Sequence, residues 1–302
     1  MKKLGAVGTN LSLLSSFFET PWTQPVAALS LADQIWMISH AGFTLRAVGR
    51  LADAVDPMKA SAEAYVKYLQ WKHAATSYAN LSELHIALGN VTEAVAAARL
   101  SFEFADRSGD GFWKMASRAT LADALHQYGD ISEATRMFAE AERLQTENQP
   151  TYPILSSSSG YWYCDLLLGQ GQVAEVLRRA SQTLDWAKRH LGPLSIGLDH
   201  VSLGRAHPAG SEEAAHHFDQ AVDFLRRAGR LDHLPRALLA RGTPHDLDEV
   251  FRIATSSGMR LFLADYHLAR GNLAEAEALI NETGYHRRDR ELDELRRRKA
   301  KA

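Results

Sequence analysis

One cysteine, thirteen histidines and a file of acidic side chains are the residues through which this 302-residue chain could do chemistry. Cys164 would be a nucleophile if a histidine stood beside it to take its proton. The histidines would suit a transition metal, yet none is four residues from another, in His-Glu-x-x-His or otherwise. That spacing is what places two ligands on one helical face. No Gly-x4-Gly-Lys-Ser/Thr phosphate loop occurs. The expectation is a chain that is not an enzyme, without catalytic residues, cofactor or metal. The acids are a different matter: Glu83, Asp123 and Asp165 recur at 40 and 42 residues, and a recurrence of that length belongs to a repeat.

The elements that carry these residues are marked by five glycines, Gly49, Gly89, Gly129, Gly171 and Gly271. Each has a small residue seven positions earlier (Gly42, Ser82, Ala122, Cys164, Ala264) and a small apolar residue five positions later (Ala54, Ala94, Ala134, Val176, Ala276). From Leu31 onward the apolar period is helical. Each glycine therefore ends a first helix A and opens the turn to a second helix B. The small residues lie where the two helices cross, and larger ones would force the pair apart. This frame assigns Cys164 to packing. It also places His85 and His267 between helices, and Ser156 to Ser159 at the polar start of a helix rather than in a linker.

The composition agrees with an all-α array without sheet, expected as a right-handed superhelical solenoid of antiparallel helix pairs. At 46% hydrophobic residues the chain can fill a continuous core. Residues 1–30 read as a first helix from Leu11 to Glu19, capped by Asn10, and a Pro21–Pro25 turn leading into the array. Residues 31–285 hold six to seven helix pairs. The sixth is eroded: Leu234 to Arg241, a Gly-Thr-Pro break, then Leu247 to Ala254. Residues 286–302 carry eight Lys/Arg against four Asp/Glu and read as a charged capping helix and solubilising tail. Net charge is −2 overall, which carries no nucleic-acid signature. A single cysteine fits a reducing cytoplasm. No stretch approaches the roughly 20 apolar residues that span a bilayer, and the polar-interrupted segment after Met1-Lys2-Lys3 does not read as a secretory signal.

The third unit, Leu121-Ala122 … Gly129 … Ala134 … Phe138 … Ala141, resembles the tetratricopeptide repeat. A period near 40 exceeds the usual length of about 34 and also admits HEAT or armadillo repeats, but the glycine-to-alanine spacing favours the tetratricopeptide form. A narrower resemblance covers nearly the whole chain. AGFTLRAVGRLADAVDPM, NLSELHIALGN, TLADALHQYGD and GYWYCDLLLGQG are similar to the C-terminal repeat region of bacterial STAND-type signalling ATPases. There the repeats follow a nucleotide-hydrolysing switch domain and act as sensor or scaffold. The resemblance implies a cytoplasmic module in a bacterial signalling or defence system: a stand-alone remnant, an interaction subunit for a separately encoded effector or ATPase domain, or the tail of a longer protein.

One position past each small residue stand Phe43, Glu83, Asp123, Asp165, Arg205 and Asp265. In tetratricopeptide superhelices this position lines the concave groove. The expected partner site therefore comprises the acids Glu83, Asp123 and Asp165, with Asn80, His126, Gln127 and Tyr161 nearby and Trp36, Phe43 and Arg46 at one end. Its expected ligand is a basic or polar peptide or helix with the aromatics as anchors. A carboxylate clamp is disfavoured because Ala116 and Thr120 stand where it needs basic residues. The alternative reading is a regulator whose superhelix changes shape on binding a small signalling peptide.

Overall fold

The computed structural model describes residues 11–301. The chain is all-α, about 79% helical. Residues 11–15 are helical, but the helix expected to continue to Glu19 does not. A short antiparallel pair, Phe18–Thr20 with Gln24–Pro25, replaces its end. Pro21 starts the turn, Trp22 takes a positive φ of 71°, and its ring meets Phe18 edge-on at 5.6 Å. Asn10, expected as the cap, lies outside the described residues.

Seven helix pairs follow. They are α1 (Leu31–Ala47) with α2 (Leu51–Lys67), α3 (Trp71–Leu88) with α4 (Val91–Ser108), and α5 (Gly111–Tyr128) with α6 (Ile131–Asn148). Then come α7 (Ser157–Gly169) with α8 (Val173–His190), and α9 (Pro193–Ala206) with α10 (Glu212–Ala228). The last are α11 (Leu234–Arg241) with α12 (Pro244–Ser257), and α13 (Arg260–Arg270) with α14 (Leu273–Thr283). A 3-10 turn at His286–Arg288 leads into α15 (Asp289–Lys299). Consecutive helices pack on each other throughout. The sixth pair is short at α11, only 8 residues, because Gly242 ends it and a capping box on Thr243, with Pro244 at the first position, starts the next helix.

The small residues sit at the crossings. A methyl added at Gly42 would stand 2.6 Å from Cγ of Met58 on α2, so the two backbones touch through that gap. Ser82 uses the closeness differently: its hydroxyl donates to the Ala94 carbonyl at 2.9 Å, joining α3 to α4. Cys164 packs with Val176, as the frame requires. Burial pushes its thiol up to about 12, so it is un-ionised at neutral pH.

The first helices of successive pairs form an inner row, and that row returns on itself. Helix α3 touches α5, α5 touches α7, and so on through α9, α11 and α13; α13 then packs against α3. Arg260 at the start of α13 donates to the Leu88 carbonyl at 2.8 Å and to Asn90 Oδ1. Glycine is needed at this closure for two reasons. Gly89 and Gly129 have φ of 78° and 97°. A Cβ on them would stand 2.8 Å from Arg260 and 2.9 Å from His286, respectively.

Candidate functional site: a charged cavity inside the helix ring

The ring encloses a cavity of about 270 Å³. Its lining comes from the inner row and the segments that close it; no residue of an outer helix contributes. From the second unit to the seventh, each pair places one frame residue there: Glu83, Asp123, Asp165, Arg205, Arg236 and Asp265. Helical periodicity brings one position of each repeat to the same wall, which is why residues 29 to 42 apart in sequence line one cavity.

The acids form one line, but they do not stand free for a basic partner. Asp165 is 2% exposed and accepts from Arg287 through both carboxylate oxygens, each at 2.6 Å, and from Arg205 at 2.6 Å. Burial alone would raise its pKa; Arg287 and Arg205 overcome that and hold the carboxyl well below the usual range. Glu83 accepts from Arg46 at 2.9 Å, and the same nitrogen reaches Asp232 at 3.0 Å. Asp265 accepts from Arg288 at 2.8 Å and from the Tyr285 hydroxyl at 3.3 Å. The cationic groups that a peptide was expected to bring are supplied by the chain's own arginines, several from its last quarter.

Asp123 is the exception. It is buried and accepts from Gln127 Nε2 at 2.7 Å, but no ion pair within the described residues reaches it. Burial raises its pKa to about 6, with Arg236 and Gln127 pulling the other way. Arg236 is its counterpart among the cations. The guanidinium lies over the rings of Tyr161 and Phe262, 5.2 and 5.6 Å from their centroids. Its Nε is sealed from solvent without a partner, and the group makes no ion pair among the described residues.

The remaining expected site residues divide. Arg46, Gln127 and Tyr161 line the cavity with the acids. His126 is buried behind the wall rather than on it, its Nδ1 unpartnered, and burial lowers its pKa to about 3. Asn80 contributes only a backbone carbonyl, 3.4 Å from Arg46 Nη1. Trp36 and Phe43 stand outside the cavity, 55% and 53% exposed on α1. Sequence reasoning missed Asp232, His233, Arg236, Arg287 and Arg288. A signal for Arg236 exists: it lies six residues before Gly242, the offset that separates Glu83 from Gly89. Nothing comparable marks Arg287 and Arg288, which belong to the segment expected to be a cap.

Outside the cavity, His85 and His267 repeat one local device, each Nδ1 meeting the amide of an asparagine five residues on, at 3.3 and 3.2 Å. His200 and His217 bring their Nδ1 atoms to 2.8 Å. Asp199 on α9 is 3% exposed and accepts from Thr183 at 2.8 Å, leaving Oδ2 without a partner. Burial pushes its pKa up to about 7 from the usual aspartate value of 3.8. The folded protein then holds this proton while the unfolded chain has released it, so stability falls as pH rises through that interval. Asp199→Asn, which mimics the protonated form, is expected to match the wild type near pH 4. Its advantage should grow until about pH 7, read as urea midpoints at each pH; parallel curves would refute the assignment.

No helix among the described residues is long and apolar enough to cross a membrane. In the comparisons with known proteins, no protein-family model matches the chain, and no curated protein matches it.

Proposed function

We propose that this chain is a binding module rather than an enzyme, a right-handed superhelix of tetratricopeptide type that takes a ligand on the inner face of its first-helix row. The observation that carries this reading is the convergence of one charged frame residue from each of six successive units on one partly open cavity. Buried charge is costly to keep where only packing is at stake, and it is most often found where binding needs it. Its setting, on the resemblance of its repeats, is a bacterial cytoplasmic signalling or defence system in which a separately encoded effector or ATPase domain is the output.

Two forms of binding are compatible with that role: a scaffold that holds a protein or peptide, and a regulator that changes shape when a small ligand enters. The closure of the ring favours the second. Contacts such as Arg46 with Asp232 and Arg287 with Asp165 tie late segments of the chain to the first and fourth units, and a ligand that competes for them changes how those segments meet. The protein partner then docks on the rim, where Trp36 and Phe43 lie seven residues apart on one exposed face of α1. Replacing both by alanine is expected to abolish capture of the effector protein while leaving the thermal midpoint unchanged, because neither ring is buried. Undiminished capture by this double variant would remove the rim from the proposal.

A further inference from the structure

The charges that line the cavity are not all spent on one another. Arg46, Arg205, Arg287 and Arg288 each hold a carboxylate. Arg236 and Asp123 are left, both on the cavity wall, with neither bonded to the other nor to any opposite charge among the described residues. Arg236 lies over the faces of Tyr161 and Phe262, with the Tyr161 hydroxyl as a polar neighbour and Asp123 and Asp165 attracting it without an ion-pair contact. That arrangement fixes the plane of the guanidinium and leaves its terminal nitrogens able to take a planar oxyanion.

The wall chemistry selects among occupants. A free cation would be drawn to Asp123 but repelled by Arg236, and a simple anion would leave Asp123 desolvated and unpaired. A doubly charged phosphate would find Arg236 as its one cation not already ion-paired among the described residues, and it would likewise leave Asp123 without a cation. A helix, about 10 Å across, does not fit a volume of about 270 Å³. What satisfies both groups is one compact molecule carrying a single anionic and a single cationic end, with an apolar part against Ile86, Leu239 and Leu261.

Resting on the reading of this cavity as a ligand site, we infer that it binds a small zwitterion of the amino-acid class, its carboxylate on Arg236 and its ammonium on Asp123. No bond is made or broken in the ligand. Such a molecule could be a free amino acid or a very short peptide, which share this chemistry and differ in the distance between their charged ends.

The test is isothermal titration of the full chain with leucine, phenylalanine and the dipeptide Leu-Leu, beside leucine with its amine acetylated or its carboxyl amidated. Saturable binding is expected for the free zwitterions, and loss of either end should weaken it about tenfold or more. Tighter binding of Leu-Leu than of leucine identifies the short peptide as the source, and the reverse identifies the free amino acid. Arg236→Met, which keeps the stem over the two rings, and Asp123→Asn, which keeps an oxygen for Gln127, should each produce the same loss. Their helical circular dichroism should match the wild type, and their ligand-free melting should be no lower, because each change removes a buried charge without an ion-pair partner among the described residues. No response to any zwitterion, or equal binding of the capped and free forms, would overturn the inference. If zwitterions fail while capture through Trp36 and Phe43 persists, only the ligand class is wrong. If both fail, the reading of the chain as a binding module falls with it.

Discussion

Asp165→Ala is expected to destabilise the protein by about 3–5 kcal/mol, the loss typical of removing one member of a buried ion-paired group. The reason is the company the carboxylate keeps. It is the shared partner of Arg205 from α9 and Arg287 from the 3-10 turn, and both would be left in the cavity wall without a counter-charge. Arg287 also donates to Gln127 on α5 at 3.1 Å, so this one arginine ties the end of the chain to the third and fourth units. Urea unfolding measures the total loss. Hydrogen exchange over residues 285–299 localises it, with protection there expected to drop more than in α5 or α6. Replacing Arg287 as well should cost less than the sum of the two single changes, since the second removes a charge that the first stranded. A loss under about 1 kcal/mol for Asp165→Ala would mean that the cavity pairs are no better than surface ion pairs.

Phe138→Ala is expected to cost a comparable amount, about 3–5 kcal/mol, for a reason that has nothing to do with charge. Phe138 is fully buried on α6 and stacks on Tyr163 of α7, with ring centroids 4.9 Å apart and planes within 8°. Its removal opens a void between the third and fourth pairs, at the contact of α6 with α7. Val173→Ala on the outer helix α8, where the side chain is 40% exposed, should change the urea midpoint little by comparison. Equal effects of the two would argue that the interface between pairs is loosely packed.

How far the cavity could be read from the chain depends on which side chain is considered. Glu83, Asp123, Asp165, Arg205 and Asp265 were legible because each lies one residue past the small crossing residue, which the helical period turns to the inner wall from the second unit onward. Phe43, at the same position in the first unit, is exposed outside the cavity. Arg236 obeys the same offset from Gly242, but the small residue before it is Pro235 and the unit is short, which hides the frame. Arg287 and Arg288 were legible only as members of a basic run. A run of charge at the end of an array is ordinarily a solvated face, and local sequence holds no sign that these two turn inward. The N-terminal helix was over-extended for a related reason. Its apolar pattern continues to Phe18, yet the turn at Pro21 and the Trp22–Phe18 contact draw those residues into a short hairpin.

By itself, then, the sequence determined the helix pairs, the crossings at Gly42, Ser82 and Ala122, the burial of Cys164 and the shared wall of the frame residues. All of these follow from periodicity and residue size within one unit and its neighbour. The tertiary structure alone decided that the row of inner helices closes back on α3, with Arg260 against Leu88, and that the end of the chain turns inward, with Arg287 against Asp165. Closure is the sum of small rotations between successive pairs, and no single unit encodes it. It is also what turned a line of acids facing an open groove into a cavity whose charges are matched from within, save for Arg236 and Asp123.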